Sequence, residues 1–360
     1  MRRPDGGAWG VTGYGDDTRS GHVSLRVSVL DQSPIADGST GGEALQRTID
    51  LARRAEALGY HRYWVAEHHG TPMLAGAAPE ILIGAIAAAT TRLRVGSGGV
   101  MLPHYSPLKV AEVFSLLSAL HPGRIDLGLG RAAGTDPLTT FALQRDRRQA
   151  APDDFPQQLA ELLAYLYDRF PAGHRFARLA ALPGGAHRPE PWLLGSSPQS
   201  GLWAAEIGLP YAFADFINPE GADYARRYRD TFVPSGVRAA PEVIVCVSAI
   251  CAETDDEAER LAASGRMAFA LLHQGELIPV PPVEKALRFL AARESCEGPR
   301  APRRRRAVIG SPATVRRGLE AVAAEYGADE LMIVTITYDH EARCRSYALI
   351  AEAFGRAPAR

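Results

Sequence analysis

Arg62-Tyr-Trp-Val-Ala-Glu-His-His69 runs from residues suited to a buried strand straight into a carboxylate and two imidazoles. Strand interiors serve packing, whereas titratable groups at the C-terminal end of a strand are placed for chemistry. Side chains alternate along a strand, so His68 faces away from Glu67 and His69 until the strand ends. His68, whose ordinary pKa lies near neutrality, is the candidate general acid/base. A lone histidine is more often structural; two at one strand end favour catalysis. Metal binding is disfavoured, because the spacing is not H-E-x-x-H and no third ligand follows from the pattern.

Three further segments could build a pocket around these groups. Gly96-Ser-Gly-Gly99 interrupts an apolar run. Glycine weakens a strand, so either a flat ring approaches the backbone at Ser97 and Gly98 or the strand bends there. Arg131 ends the run Arg124-Ile-Asp-Leu-Gly-Leu-Gly-Arg131 and is a candidate anion ligand. The same stretch, Gly128 to Ala133, formally matches G-x-G-x-x-A. However, Gly134-Thr-Asp-Pro follows instead of an apolar helix, which rejects the dinucleotide reading. Gly195-Ser-Ser-Pro-Gln-Ser200 links a strand to a helix, so Ser196, Ser197 and Ser200 either cap the helix or cradle a phosphate at its N-terminus. Gly310-Ser-Pro312 shows the same pattern without the preceding strand.

The elements that must hold these residues alternate regularly. Apolar strands are expected at 27–32, 63–68, 93–101, 125–130, 192–195, 211–216, 243–251 and 331–337, with helical periodicity after each. Eight β-then-α units imply an α/β fold, a (β/α)8 barrel with insertions in its βα loops; a doubly wound open sheet is the alternative. Residues 1–24, rich in Gly, Asp, Ser and Thr, read as a flexible tail, and 25–360 as a single domain. A long insertion at about 271–310 carries Pro279, Pro281, Pro282 and the run Arg303-Arg-Arg-Arg306. It is either an active-site lid or a surface loop.

Composition narrows the classes. The 360 residues are 46% hydrophobic and 22% charged, and 40 basic residues balance 41 acidic ones. No global field therefore recruits nucleic acid or an anionic membrane. Four widely spaced cysteines with no C-x-x-C pair argue against both a disulfide scaffold and a cysteine zinc site, and fit a reducing cytoplasm. No apolar run reaches the roughly 18 residues of a membrane helix.

The chain resembles the bacterial luciferase-like family of flavin-dependent monooxygenases. The resemblance rests on Ser28-Val-Leu-Asp-Gln-Ser-Pro34, Trp64-Val-Ala-Glu-His-His69, Arg94 to Pro103, His121 to Arg131, Leu194-Gly-Ser-Ser-Pro198 and Gly208 to Ala214. It implies a TIM barrel that binds FMN at the strand C-termini. His68 falls on the catalytic histidine, Ser97–Gly98 on a non-prolyl cis peptide beneath the isoalloxazine, and Arg131, Ser196, Ser197 and Ser200 on the phosphate site. Asp31, Glu67, His69 and Tyr105 are lesser candidates for the pocket wall. The chain departs from the luciferases at Gly130, where they carry a cysteine, and at Ser196, where they carry a glutamate. In these respects it is more similar to non-luminous members, some of which tailor natural products. The resemblance further implies reduced FMN as co-substrate from a separate NAD(P)H-dependent flavin reductase, O2 as oxidant, a small-molecule substrate and a homodimer.

Three rivals remain at this stage: a deazaflavin-dependent hydride-transfer enzyme of the same barrel, a non-catalytic flavin-binding protein, and a barrel hydrolase using His68, His69 and Asp126. The loops at 132–153, 171–189 and 271–306, with Phe141, Leu143, Phe176 and Leu277, are expected to face the substrate.

Overall fold

In a computed structural model, residues 25–131, 136–149, 153–179, 182–297 and 307–356 are described. The expected N-terminal tail and the run Arg303–Arg306 lie outside them. In chain order the elements are β1 (Arg26–Asp31), α1 (Gly41–Ala57), β2 (Arg62–Val65), α2 (Pro79–Ala89), β3 (Arg94–Ser97), β4 (Val100–Met101), α3 (Pro107–Leu120), β5 (Ile125–Gly130), α4 (Pro137–Leu143) and α5 (Phe155–Tyr167). There follow β6 (Glu190–Gly195), α6 (Pro198–Ile207), β7 (Tyr211–Ala214), α7 (Ala222–Asp230), β8 (Val243–Cys251), α8 (Asp255–Leu272), α9 (Val283–Glu297), β9 (Ala307–Gly310), α10 (Pro312–Tyr326), β10 (Glu330–Val334) and α11 (His340–Ala353).

All ladders are parallel. They run β10-β1-β2-β3-β5-β6-β7-β8, and β8 pairs back onto β10. The sheet is therefore a closed (β/α)8 TIM barrel, with β3 and β4 as two halves of one interrupted strand. The ladder closes because each strand is apolar on both faces. Leu30, Trp64, Trp192, Ala212, Ile244 and Met332 fill the interior, while Val29, Tyr63, Val65 and Val95 pack outward against the helices. Helix starts are explicit in the sequence. Thr40 caps α1 by accepting from Glu43 N at 3.2 Å, and Glu43 accepts from Thr40 N at 2.8 Å.

Two parts differ from the sequence expectation. The stretch at about 271–310 contains a helix, α9, and a short strand, β9. Here β9 extends the outer half of β8, pairing Ser248–Cys251 beyond the point where β7 stops. The loop at 132–153 likewise contains α4, whose N-cap Asp136 accepts from Leu138 N and Thr139 N.

The N-terminal mouth of the barrel is ionic. Arg62 bridges Asp126 at 3.0 Å and Glu330 at 2.9 Å, all three nearly fully buried. Trp64 Nε1 and Arg94 donate to the same Asp126 carboxylate. Burial raises the Asp126 pKa, but Arg62 and Arg94 more than offset this and hold it below the usual range.

Candidate active site

The C-terminal strand ends surround a cavity of about 860 Å3. Its floor is apolar, from Leu30, Leu194, Ala212 and Cys246. Its functional groups come from three strand ends.

The end of β2 supplies the imidazoles. His68 lines the cavity, and its Nδ1 is buried with no hydrogen-bond partner. Burial, with His69 alongside, lowers its pKa to about 4, so it is neutral at physiological pH. The expected alternation holds for Glu67 and not for His69, because β2 ends at Val65 and both imidazoles line the cavity. Glu67 turns the other way, where Oε1 lies 2.7 Å from His69 Nε2 and accepts from Tyr105 OH at 2.7 Å, while Oε2 accepts from Met101 N at 2.9 Å. Glu67 thus ties β2 to β4 and orients its neighbours from behind the wall. His69 itself reaches the cavity.

The end of β5 supplies the cation. Arg131 is exposed on the cavity wall, with its guanidinium 5.6 Å from the Trp203 ring centroid. The end of β6 supplies Ser196, Ser197 and Ser200, all on the wall. Ser197 is the N-cap of α6, yet its hydroxyl makes no cap bond, which leaves the first amides of that helix without a side-chain cap. Ser200 Oγ donates to Ser197 O at 2.8 Å and meets Tyr211 OH at 2.9 Å, and Asn218 Nδ2 holds Ser196 O at 2.9 Å.

The family model for luciferase-like monooxygenases matches residues 25–330. The chain belongs to that family.

Among relatives, the N-acetyl-S-alkylcysteine monooxygenase of Bacillus subtilis (strain 168) is 39% identical over 333 residues, covering 91% of this chain and 98% of that protein. Among solved structures, apo-MsnO8 matches with a TM-score of 0.82 at 43% identity, over 93% of this chain and all (100%) of that one. The oxygenating constituent of 3,6-diketocamphane monooxygenase from Pseudomonas putida is a type II Baeyer–Villiger monooxygenase in complex with FMN. It shares the fold at a TM-score of 0.67 and 21% identity, over 91% of this chain and 97% of that one.

Several residues expected at a luciferase-like site sit elsewhere. Ser97 has the outward parity of Val95; it is fully buried and donates to Gly128 O at 2.8 Å, so its side chain is off the cavity wall. Gly98 does line the cavity, and a Cβ there would collide with Leu30 Cδ1. Its glycine thus answers to crowding in the barrel interior. No cis peptide occurs among the described residues, Ser97–Gly98 included; Gly98 N reaches Val65 O at 2.8 Å with the bond trans. Asp31 is a structural ion-pair partner, bonded to Arg343 at 2.6 Å and to Tyr63. Asp126 belongs to the ionic layer at the other mouth, which removes it from any set with His68 and His69. Of the loops expected to face the substrate, Asp136, Leu272, Gly275 and Leu277 reach the wall. Phe176 instead packs among Tyr165, Phe170 and His174, away from it. Trp203, Asn218, Phe216, Phe269 and Cys246 were missed. Only Phe216 sat on an expected strand end, and Trp203 lies on a helix that sequence periodicity reads as packing.

Proposed function

We propose that this protein is a flavin-dependent monooxygenase. In this reading it uses reduced FMN and O2 to oxygenate a small, largely apolar organic substrate, with the reduced flavin delivered by a separate NAD(P)H-dependent reductase. One observation carries the reading: an arginine, an uncapped helix start and a neutral, unpartnered imidazole share a single cavity of about 860 Å3.

The residues fit FMN. The volume lies in the roughly 300–1,000 Å3 range of small-molecule sites. Arg131 and the start of α6 supply a cation and free amides for a phosphate, with Ser196 and Ser197 beside them. Leu30, Leu194 and Ala212 offer an apolar bed for a ring system, and Gly98 and Gly99 keep the strand edge low. Bound reduced flavin supplies the electrons that activate oxygen. His68, neutral and open at Nδ1, accepts or returns the proton of the reaction at that atom. Phe216, Phe269 and Leu277 exclude water from above the bed.

A separate reductase is part of the proposal because the dinucleotide-like glycines Gly128 and Gly130 lie within β5 rather than in a turn from strand to helix. Dimerisation is part of it too. Along α2 and α3, Ile81 and Leu120 are each 71% exposed on helices that are apolar nearly all round, as expected for a face covered by a second copy. Cys246, Cys251 and Cys344 are free and buried, in keeping with a cytoplasmic setting.

The reading is tested by coupling the protein to a flavin reductase with NADH, FMN and isotopically labelled oxygen. The named relatives suggest a panel of thioethers and ketones. Label appearing in a product supports a monooxygenase. Reductant consumption with no label in any product, together with hydride transfer from reduced deazaflavin, would replace it.

A further inference from the structure

At the seam where β10 pairs with β1, the first and last helices meet and bring three different donor atoms to one point. Asp50 lies on α1. His340 and Cys344 lie on α11 at i and i+4, so they share a face. His340 Nε2 is 2.8 Å from Asp50 Oδ2 and 3.5 Å from Cys344 Sγ, and the three ligand atoms all lie within 4.8 Å of one another. Cys344 is buried, whereas the Asp50 side chain is 41% exposed, so the cluster is reached from solvent on the α1 side.

One imidazole nitrogen cannot serve both neighbours. Protonated, Nε2 donates to the carboxylate and offers nothing to the thiol. Unprotonated, it accepts from the thiol and confronts the carboxylate lone pairs. A cation at the centre accepts from all three. The spacing suits one: tetrahedral zinc bonds of about 2.3 Å to sulfur and about 2.0 Å to nitrogen put those two ligands roughly 3.5 Å apart, and Sγ and Nε2 stand 3.5 Å apart here. Arg54 Nε also holds Asp50 Oδ2, at 2.9 Å, but Arg54 keeps a two-point partner in Glu341 at 2.8 Å when that oxygen turns to a metal.

We propose that Asp50, His340 and Cys344 form a binding site for a divalent transition metal, zinc by donor type, that ties α1 to α11. The sulfur donor excludes magnesium and calcium as the preferred ions. The positive end of α11 disfavours a bare cation near His340, and the thiolate and carboxylate offset that charge. The thiol must ligate as a thiolate, so metal capture releases a proton. None of the three residues lines the cavity, so the site stands apart from the flavin chemistry.

The test uses the full chain, stripped with a chelator and titrated with zinc against a chromophoric competitor, with cobalt in a parallel titration. The wild type is expected to bind a single equivalent of zinc and, with cobalt, to show a thiolate-to-metal charge-transfer band. Cys344→Ser is expected to abolish that band. Asp50→Asn, on a half-exposed helix face, is expected to weaken zinc by about tenfold or more. His68→Ala, which removes an imidazole from the cavity, is expected to leave both readouts unchanged. Circular dichroism and melting of the metal-free variants separate loss of fold from loss of ligation, and Asp50→Asn carries the test if Cys344→Ser unfolds. Absence of the cobalt band in the wild type, or equal zinc affinity in wild type and a folded Asp50→Asn, overturns the proposal.

Discussion

Glu67 Oε1 and His69 Nε2 are 2.7 Å apart, and the same carboxylate holds Tyr105 and the backbone of Met101. One buried side chain therefore joins the segment just after β2 to the end of β4. Glu67→Gln cannot satisfy this set. With its amide oxygen toward His69 and Tyr105, its NH2 faces the Met101 N–H. The expected cost is about 1–3 kcal/mol, read as a lower denaturant midpoint at unchanged m-value. An unchanged midpoint would show that the carboxylate is dispensable.

His68 is predicted to matter for turnover and not for cofactor affinity. His68→Asn should lower kcat by about 10²- to 10⁴-fold, the usual range for general acid–base groups, with flavin binding retained. Burial lowers the His68 pKa from 6.5 to about 4, so the acid limb of the wild-type pH profile should lie near 4 and vanish in the variant. A limb near 6.5 that survives in the variant would assign the proton to another group.

The same shift bears on stability. His68 is held at about 4, and His61, buried and close to Arg62, at about 3. As pH falls below 6.5, the unfolded chain takes up protons that the folded chain refuses, so these two groups make no difference above 6.5 and destabilise the fold as pH drops toward 4 and below. Thermal melting across that window should show the decline, and His61→Asn should flatten part of it.

Arg131→Ala is predicted to weaken FMN by about 1.5–3 kcal/mol, roughly ten- to hundredfold, as expected for a bond to a charged group. Riboflavin, which lacks the phosphate, should lose little. Equal losses for the two ligands would take Arg131 out of the phosphate site.

At the opposite mouth, Arg62→Met strands Asp126 and Glu330 without their shared cation. The predicted destabilisation is about 3–5 kcal/mol, with flavin affinity of the folded protein unchanged because the change lies at the N-terminal mouth. A selective loss of flavin binding without destabilisation would contradict the structural role given to this layer.

These roles divide what the sequence makes legible from what it hides. The eight barrel strands were readable because buried parallel strands are continuous apolar runs between glycine and proline breaks. Strand alternation placed Glu67 opposite His68 but misplaced His69, which also lines the cavity because β2 ends at Val65. Ser97 misled because glycine on both sides of it has two causes, ligand approach and crowding. The crowding atoms, Leu30 Cδ1 at Gly98 and Asp126 at Gly96, come from other strands. Asp31 and Asp126 look like catalytic acids in one dimension; their partners Arg343 and Arg62 are 312 and 64 residues away. The β9 strand and α9 were hidden by the prolines and arginines around them, which break any regular period.

The most direct test of the central claim is an anaerobic titration of the purified protein with reduced FMN, and in parallel with reduced deazaflavin, followed by admission of air. The account predicts saturable binding of reduced FMN, weakened by Arg131→Ala, and an oxygen-dependent absorbance change of the bound flavin that His68→Asn alters in rate. Binding of reduced deazaflavin alone, with no response to oxygen, would contradict it.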